Sequence, residues 1–124
     1  MSTKIYYNKM IRDHIKDVIE AKGKQCEVRR IDSDAEYQQE LTKKVIEEAT
    51  GLAFSRTRDE FLANYADLMV VLDALTAQLE VSEAEISTAI SENVEKKGLY
   101  AERHYLHWSD DDTYISTATP QGIR

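Results

Sequence analysis

Three segments of this chain open with the same four-residue device, and together they predict a helical protein. Ser33-x-x-Glu36, Thr57-x-x-Glu60 and Ser82-x-x-Glu85 each place a hydroxyl three residues ahead of a glutamate. The hydroxyl can accept from the backbone N–H three residues on, while the glutamate reaches back to the cap's own N–H. Each match is followed by apolar residues at helical spacing, which predicts helices over about Asp34–Leu52, Arg58–Leu79 and Ser82–Lys97. Tyr37, Leu41, Val45 and Leu52 form the stripe of the first; Ile86, Ile90 and Val94 form that of the last, and Gly98 stands at its C′ position. An earlier helix is expected from about Lys9 to Ala21, closed by Gly23. Gln25–Ile31 alternates weakly and reads as an extended stretch, with Arg103–Trp108 as a strand that could pair with it. The expected fold is all-α, a four-helix bundle-like subunit with one short strand pair possible, over residues 1–108. Residues 109–124 form a polar tail, mobile or docked on a partner subunit.

The helix from Arg58 is apolar on nearly every side between Tyr65 and Leu75. A helix of that kind must be covered on every side, and a chain of 124 residues has few helices to do it. The reading is a subunit interface, in a homodimer or homotetramer. The net charge of −7 and pI near 5.0 argue against a basic stripe for a nucleic-acid polymer, though not against one nucleotide held through a metal. The lone Cys26 cannot form an internal disulfide and reads as a small core residue. With no apolar run of membrane-spanning length and no signal-peptide core in view, the expected location is the cytoplasm, with no membrane partner.

Acids gather where the second and third predicted helices meet. Glu47 and Glu48 lie near the end of one and Asp67 on the next, with Gly51 and Asn64 where two more acids would complete a four-carboxylate cage. Acids three apart share a helix face. Two such pairs on neighbouring helices could hold Mg²⁺ against phosphates, with a bound water as nucleophile. The spacing by itself is unspecific, since roughly four acid pairs at i,i+3 arise by chance in a chain with 23 acids. Glu92-x-x-Glu95 is one such pair and gets no role. A solvated face is the plain alternative for Glu47 and Glu48. Asp67 stands in an apolar stretch and needs a partner: a metal, an Arg or a Lys. Asn64 keeps only a carbonyl oxygen, and Gly51 offers no side chain.

These residues, with the two ends of the helical region, resemble the all-α nucleotide pyrophosphohydrolases of the MazG-like superfamily. The likeness is to the phosphoribosyl-ATP pyrophosphohydrolase-like branch that opens Tyr-Asn-Lys-Leu-Val-Arg-Asp-Lys-Ile. Here the opening reads Tyr7-Asn8-Lys9-Met10-Ile11-Arg12-Asp13-His14-Ile15. Glu20-Ala21-Lys22-Gly23-Lys24, Arg30-Ile31-Asp32, Ala66-Asp67-Leu68 and Glu95-Lys96-Lys97-Gly98-Leu99-Tyr100 are similar as well, so the likeness covers roughly residues 5–106. It implies an oligomeric helical enzyme that uses Mg²⁺ to split a nucleoside triphosphate into monophosphate and pyrophosphate, often to clear modified nucleotides.

The metal signature of that family is Glu-Glu-x-x-Glu followed by Glu-x-x-Asp. By position Glu47, Glu48 and Asp67 are then catalytic, and Glu48, Asp67 and the Asn64 carbonyl are metal ligands. Lys9, Arg12, Lys97 and Arg103 become substrate contacts. Gly51 and Asn64 depart from the signature, which makes the site degenerate and keeps a second expectation open. In that second reading the chain is a catalytically inactive descendant, serving as a nucleotide-binding or protein-interaction module. A helical adaptor without any nucleotide is a third. Elsewhere, His104 and His107 would point to opposite faces of a strand and are not a metal pair. Tyr100 and Tyr105 could stack on a base. Asp110-Asp111-Asp112 lacks the Gly and Glu of a calcium loop.

Overall fold

The computed structural model describes residues 3–111 and 113. They hold four helices: α1 (Ile15–Ala21), α2 (Asp34–Ala53), α3 (Arg58–Gln78) and α4 (Glu83–Lys97). The chain divides into two compact units, Met1–Ile86 and Ser87–Arg124. The expectations for the far tail fall on residues outside those described.

All three capping boxes form on their hydroxyl side. Ser33 accepts from the Glu36 N–H at 3.2 Å, Thr57 from Glu60 at 3.1 Å and Ser82 from Glu85 at 3.1 Å. Only the last is reciprocal, with the Glu85 carboxylate accepting from the Ser82 N–H at 2.8 Å. Glu60 reaches one residue further back, to the Arg56 N–H at 2.7 Å. Glu36 turns away altogether to take both arms of Arg29, at 3.0 and 2.7 Å. A forked guanidinium–carboxylate pair outcompetes a single neutral N–H.

The helix expected from Lys9 begins six residues later, at Ile15. Asn8 sits at φ +48°, and His14 gives no side-chain cap. Ile11, Ile15 and Val18 stay partly exposed, so no buried stripe stabilises a longer helix. The end is as expected. Gly23, at φ +74°, donates to the Glu20 carbonyl, and the Lys24 N–H reaches Ile19, the paired bonds of a Schellman stop.

The expected strand pair is absent, since the described residues contain no strand. An isolated pair of strands is marginal in water. Arg103, which should open the second strand, lies at φ +54° and breaks its extended run. Val28, the apolar residue of the first, remains about half exposed. Arg29 and Arg30 pair locally with Glu36 and Asp32.

Residues 54–57 join α2 to α3, a connection short enough to fold the helices back on each other. The two buried hydrophobic side chains of the described chain lie one on each: Leu41 on α2 and Val71 on α3. Asn64, Asp67, Leu68, Val71, Leu72 and Leu75 form the covered or half-covered stripe of α3. Phe61, Leu62, Tyr65, Met69 and Val70 stand outside it, between 38% and 51% exposed. Among the described residues, the Met1–Ile86 unit covers one stripe of the apolar helix and leaves the other side exposed. No helix among the described residues is long and apolar enough to cross a membrane.

Candidate functional site

The acids singled out in the sequence do not stand free. On α2, Lys44 lies three residues before Glu47 and four before Glu48, so all three share a face. Its Nζ is 2.7 Å from Glu47 Oε2 and 3.2 Å from Glu48 Oε1. Lys9 reaches the other Glu47 oxygen at 2.5 Å. On α3, Asp67 meets Arg12 at 3.6 Å. The partner that Asp67 required is therefore an arginine, although the side chain is less buried than an all-apolar helix implied. Its side chain is 47% exposed.

The non-helical N-terminal segment thus lays one cation on α2 and one on α3. Two residues read as phosphate contacts, Lys9 and Arg12, are brought against two of the residues read as metal or catalytic acids, Glu47 and Asp67. Lys97 and Arg103 belong to the other unit, where both are exposed. Lys97 is the last residue of α4, and the Arg103 N–H donates to the Tyr100 carbonyl at 3.0 Å. Lys44 was not foreseen. Its signal was present as a Lys three and four residues ahead of two glutamates, a pattern easily taken for a solvated face.

The pairing moves proton affinities. Hydrogen bonds from Lys44 and then Lys9 hold the Glu47 carboxyl below its ordinary value. Burial pulls the Lys44 ammonium down, but its bonds to Glu47 and Glu48 outweigh that and its pKa rises. The depressed Glu47 contributes stability above its unfolded pKa, and that stability is lost as pH falls through the lower folded value. The raised Lys44 contributes stability below its unfolded pKa, lost as pH climbs through the higher folded value. Urea midpoints taken across the acid range and again across the alkaline range are expected to fall at both ends. In Glu47→Gln the acid-side fall should shrink; an unchanged acid limb would contradict the pairing.

The two departures from the cage touch each other. Asn64 Nδ2 donates to the Gly51 carbonyl at 3.1 Å and to Ser55 Oγ at 2.9 Å. Ser55 Oγ in turn reaches the Gly51 carbonyl at 3.4 Å. Gly51 lies three from the end of α2, where carbonyls have no intrahelical partner. Asn64 therefore ties the C-terminus of α2 to α3, a role for which a carboxylate has no donor. A Cβ added at Gly51 would meet Asn64 Oδ1 at 3.6 Å, ordinary contact. Gly51→Ala is accordingly expected to stabilise the fold by about 0.5–1 kcal/mol, read from the urea midpoint. A loss of stability would show that the helix end needs the glycine.

Among the described residues no three acid, His or Cys side chains gather closely enough to hold a metal ion. A free-standing cage is thus not what these residues make. Mg²⁺ sites are, however, commonly built from one or two carboxylates completed by substrate phosphates. Glu48 on α2 and Asp67 on α3 are each ion-paired, with Lys44 and Arg12.

The other residues carry less. Cys26 is free and half-buried. Tyr100 is almost fully exposed, and the Tyr105 ring stands edge-on to His107 with centroids 5.2 Å apart. Asp111 accepts from the Thr113 backbone and hydroxyl, as a local turn does; Asp112 lies outside the described residues. An open groove along α2, lined by Ala35, Gln38, Gln39, Thr42 and Lys43, contains none of the site residues. Comparison with protein-family models, with curated proteins and with solved structures finds no match for this chain.

Proposed function

We propose that this chain is a Mg²⁺-dependent nucleoside triphosphate pyrophosphohydrolase of the MazG-like type, working on a metal that the nucleotide brings with it. The observation that carries the reading is the meeting of Lys9 with Glu47 and of Arg12 with Asp67. Acids suited to a hard cation are paired with bases suited to phosphates on both α2 and α3. In this reading Glu48 and Asp67, with the Asn64 carbonyl, would hold the metal. When bound, Mg²⁺ supplies charge neutralisation at the phosphates and an acidified water. Lys9 and Arg12 leave their acids for the β- and γ-phosphates and stabilise the departing pyrophosphate. Glu47, freed of Lys9, takes a proton from the attacking water as the α–β phosphoanhydride bond breaks. Lys97 and Arg103 are further phosphate contacts by resemblance alone.

The open side of α3, from Phe61 to Val70, supports a homodimer or homotetramer. Light scattering in solution tests this, and a strict monomer would refute it. A second reading is supported by the Asn64–Gly51 bond, a helix-end tie between the two positions that depart from the family signature. There the chain is a non-catalytic nucleotide-binding or interaction module. Pyrophosphate release from a panel of ordinary and modified triphosphates at high Mg²⁺ separates the two. Turnover supports the enzyme; none above background leaves the second reading.

A further inference from the structure

The uncovered side of α3 has an order of its own. Arg58, Leu62, Tyr65, Met69 and Asp73 follow at spacings of four, three, four and four, which puts them along one side of the helix. Leu62, Tyr65 and Met69 are 51%, 47% and 38% exposed, and Arg58 and Asp73 are exposed as well. The seam is therefore apolar in the middle, with a cation at one end and an anion at the other. Neither charge has an ion-pair partner among the described residues. Arg58 also stands in the first turn, where the helix dipole disfavours a cation. The Tyr65 ring is stacked on Phe61 with centroids 6.0 Å apart, so the middle of the seam presents an ordered aromatic pair.

The spacing is symmetrical. Leu62 and Met69 lie equally far from the midpoint between Tyr65 and Ala66, and so do Arg58 and Asp73. Laid antiparallel on a copy of itself, the seam meets its own complement. A twofold axis at that midpoint sets Leu62 of one copy against Met69 of the other, and Arg58 against Asp73, each pair occurring twice. A parallel pairing would oppose Arg58 to Arg58 and Asp73 to Asp73.

We propose that this side of α3 is the interface between two copies of the chain, packed antiparallel in this register. The inference rests on the homo-oligomer reading above and gives it a geometry. Asn64 and Asp67 belong to the covered stripe of α3, so the pairing leaves the Asn64–Gly51 bond and the Arg12–Asp67 pair in place.

The test is sedimentation velocity of the full chain over a dilution series, with two sets of variants. Arg58→Asp and Asp73→Arg each set like charges against one another at both ends, and each should weaken the dimer at least ~10-fold. Together in one chain they exchange the two charges and should restore the original affinity. For the second set, Cys26→Ser removes the native thiol, and Leu62→Cys and Met69→Cys are placed in separate chains. Mixed under oxidising conditions, the two should join through a disulfide. Neither should do so alone, because its cysteine lies about 10 Å along the axis from the same cysteine in the other copy. An oligomer that responds to neither set overturns this register and leaves the homo-oligomer reading standing. A chain that stays monomeric at every concentration overturns both, and gives the seam to the chain's own 87–124 unit or to a different protein. Circular dichroism checks that the variants keep their helices. Should a charge reversal lose them, the cysteine pair, which leaves both charges in place, decides alone.

Discussion

Leu41→Ala is expected to cost the fold about 2–5 kcal/mol. Leu41 is 3% exposed and is one of two buried hydrophobic side chains in the described chain, the other being Val71 at 7%. Deleting most of its side chain loses the transfer energy of the removed carbons and leaves a hollow between helices that only partly close. Domains of this size have about 5–15 kcal/mol in total, so the loss takes a large share. Urea unfolding followed by helical signal gives the number. A loss under about 0.5 kcal/mol, the range of a surface substitution, would mean that α2 and α3 are not held together there.

The second large effect is on activity. Asp67→Asn keeps the shape of the side chain and removes its charge. It is expected to lower pyrophosphate release by about 100-fold or more, equivalent to about 2.7 kcal/mol of transition-state stabilisation. Stability should hardly change, because the Arg12–Asp67 pair is half exposed and such pairs contribute about 0–1 kcal/mol. The contrast between the two readouts is the point of the experiment. Equal losses of stability and turnover would make Asp67 a structural residue. Undiminished turnover would remove it from the site.

What the sequence made legible was local. Ser33, Thr57 and Ser82 cap helices because a cap needs only its own next turn. Gly23 and Gly98 were legible for the same reason, and both take positive φ. The start of α1 was not legible, because whether Ile11 and its neighbours find a surface to bury against depends on packing and not on spacing, and Lys9 and Arg12 engage acids 38 and 55 positions away. The strand pair failed for want of a partner, a fact no single segment carries.

The candidate site divides along the same line. Glu47, Glu48 and Asp67 could be read from spacing and resemblance. Their counter-ions could not: the resemblance points Lys9 and Arg12 at phosphate, and nothing along the chain singles out Lys44. Gly51 and Asn64 looked like two separate losses. They are one change in three dimensions, with the amide of Asn64 satisfying the carbonyl that Gly51 leaves at the end of α2. That coupling depends on the packing of α2 on α3 and has no signature along the chain.

Calorimetry distinguishes a metal that comes with the nucleotide from one the chain holds by itself. Mg²⁺ is titrated into the full chain alone and again in the presence of a non-hydrolysable triphosphate. Little or no binding of Mg²⁺ alone is expected, and clear saturable binding when the analogue is present. Tight binding without nucleotide would contradict it by revealing a complete metal cage. No binding in either case would contradict it too, and would leave the carboxylates of α2 and α3 as the partners of Lys9, Arg12 and Lys44 and nothing more.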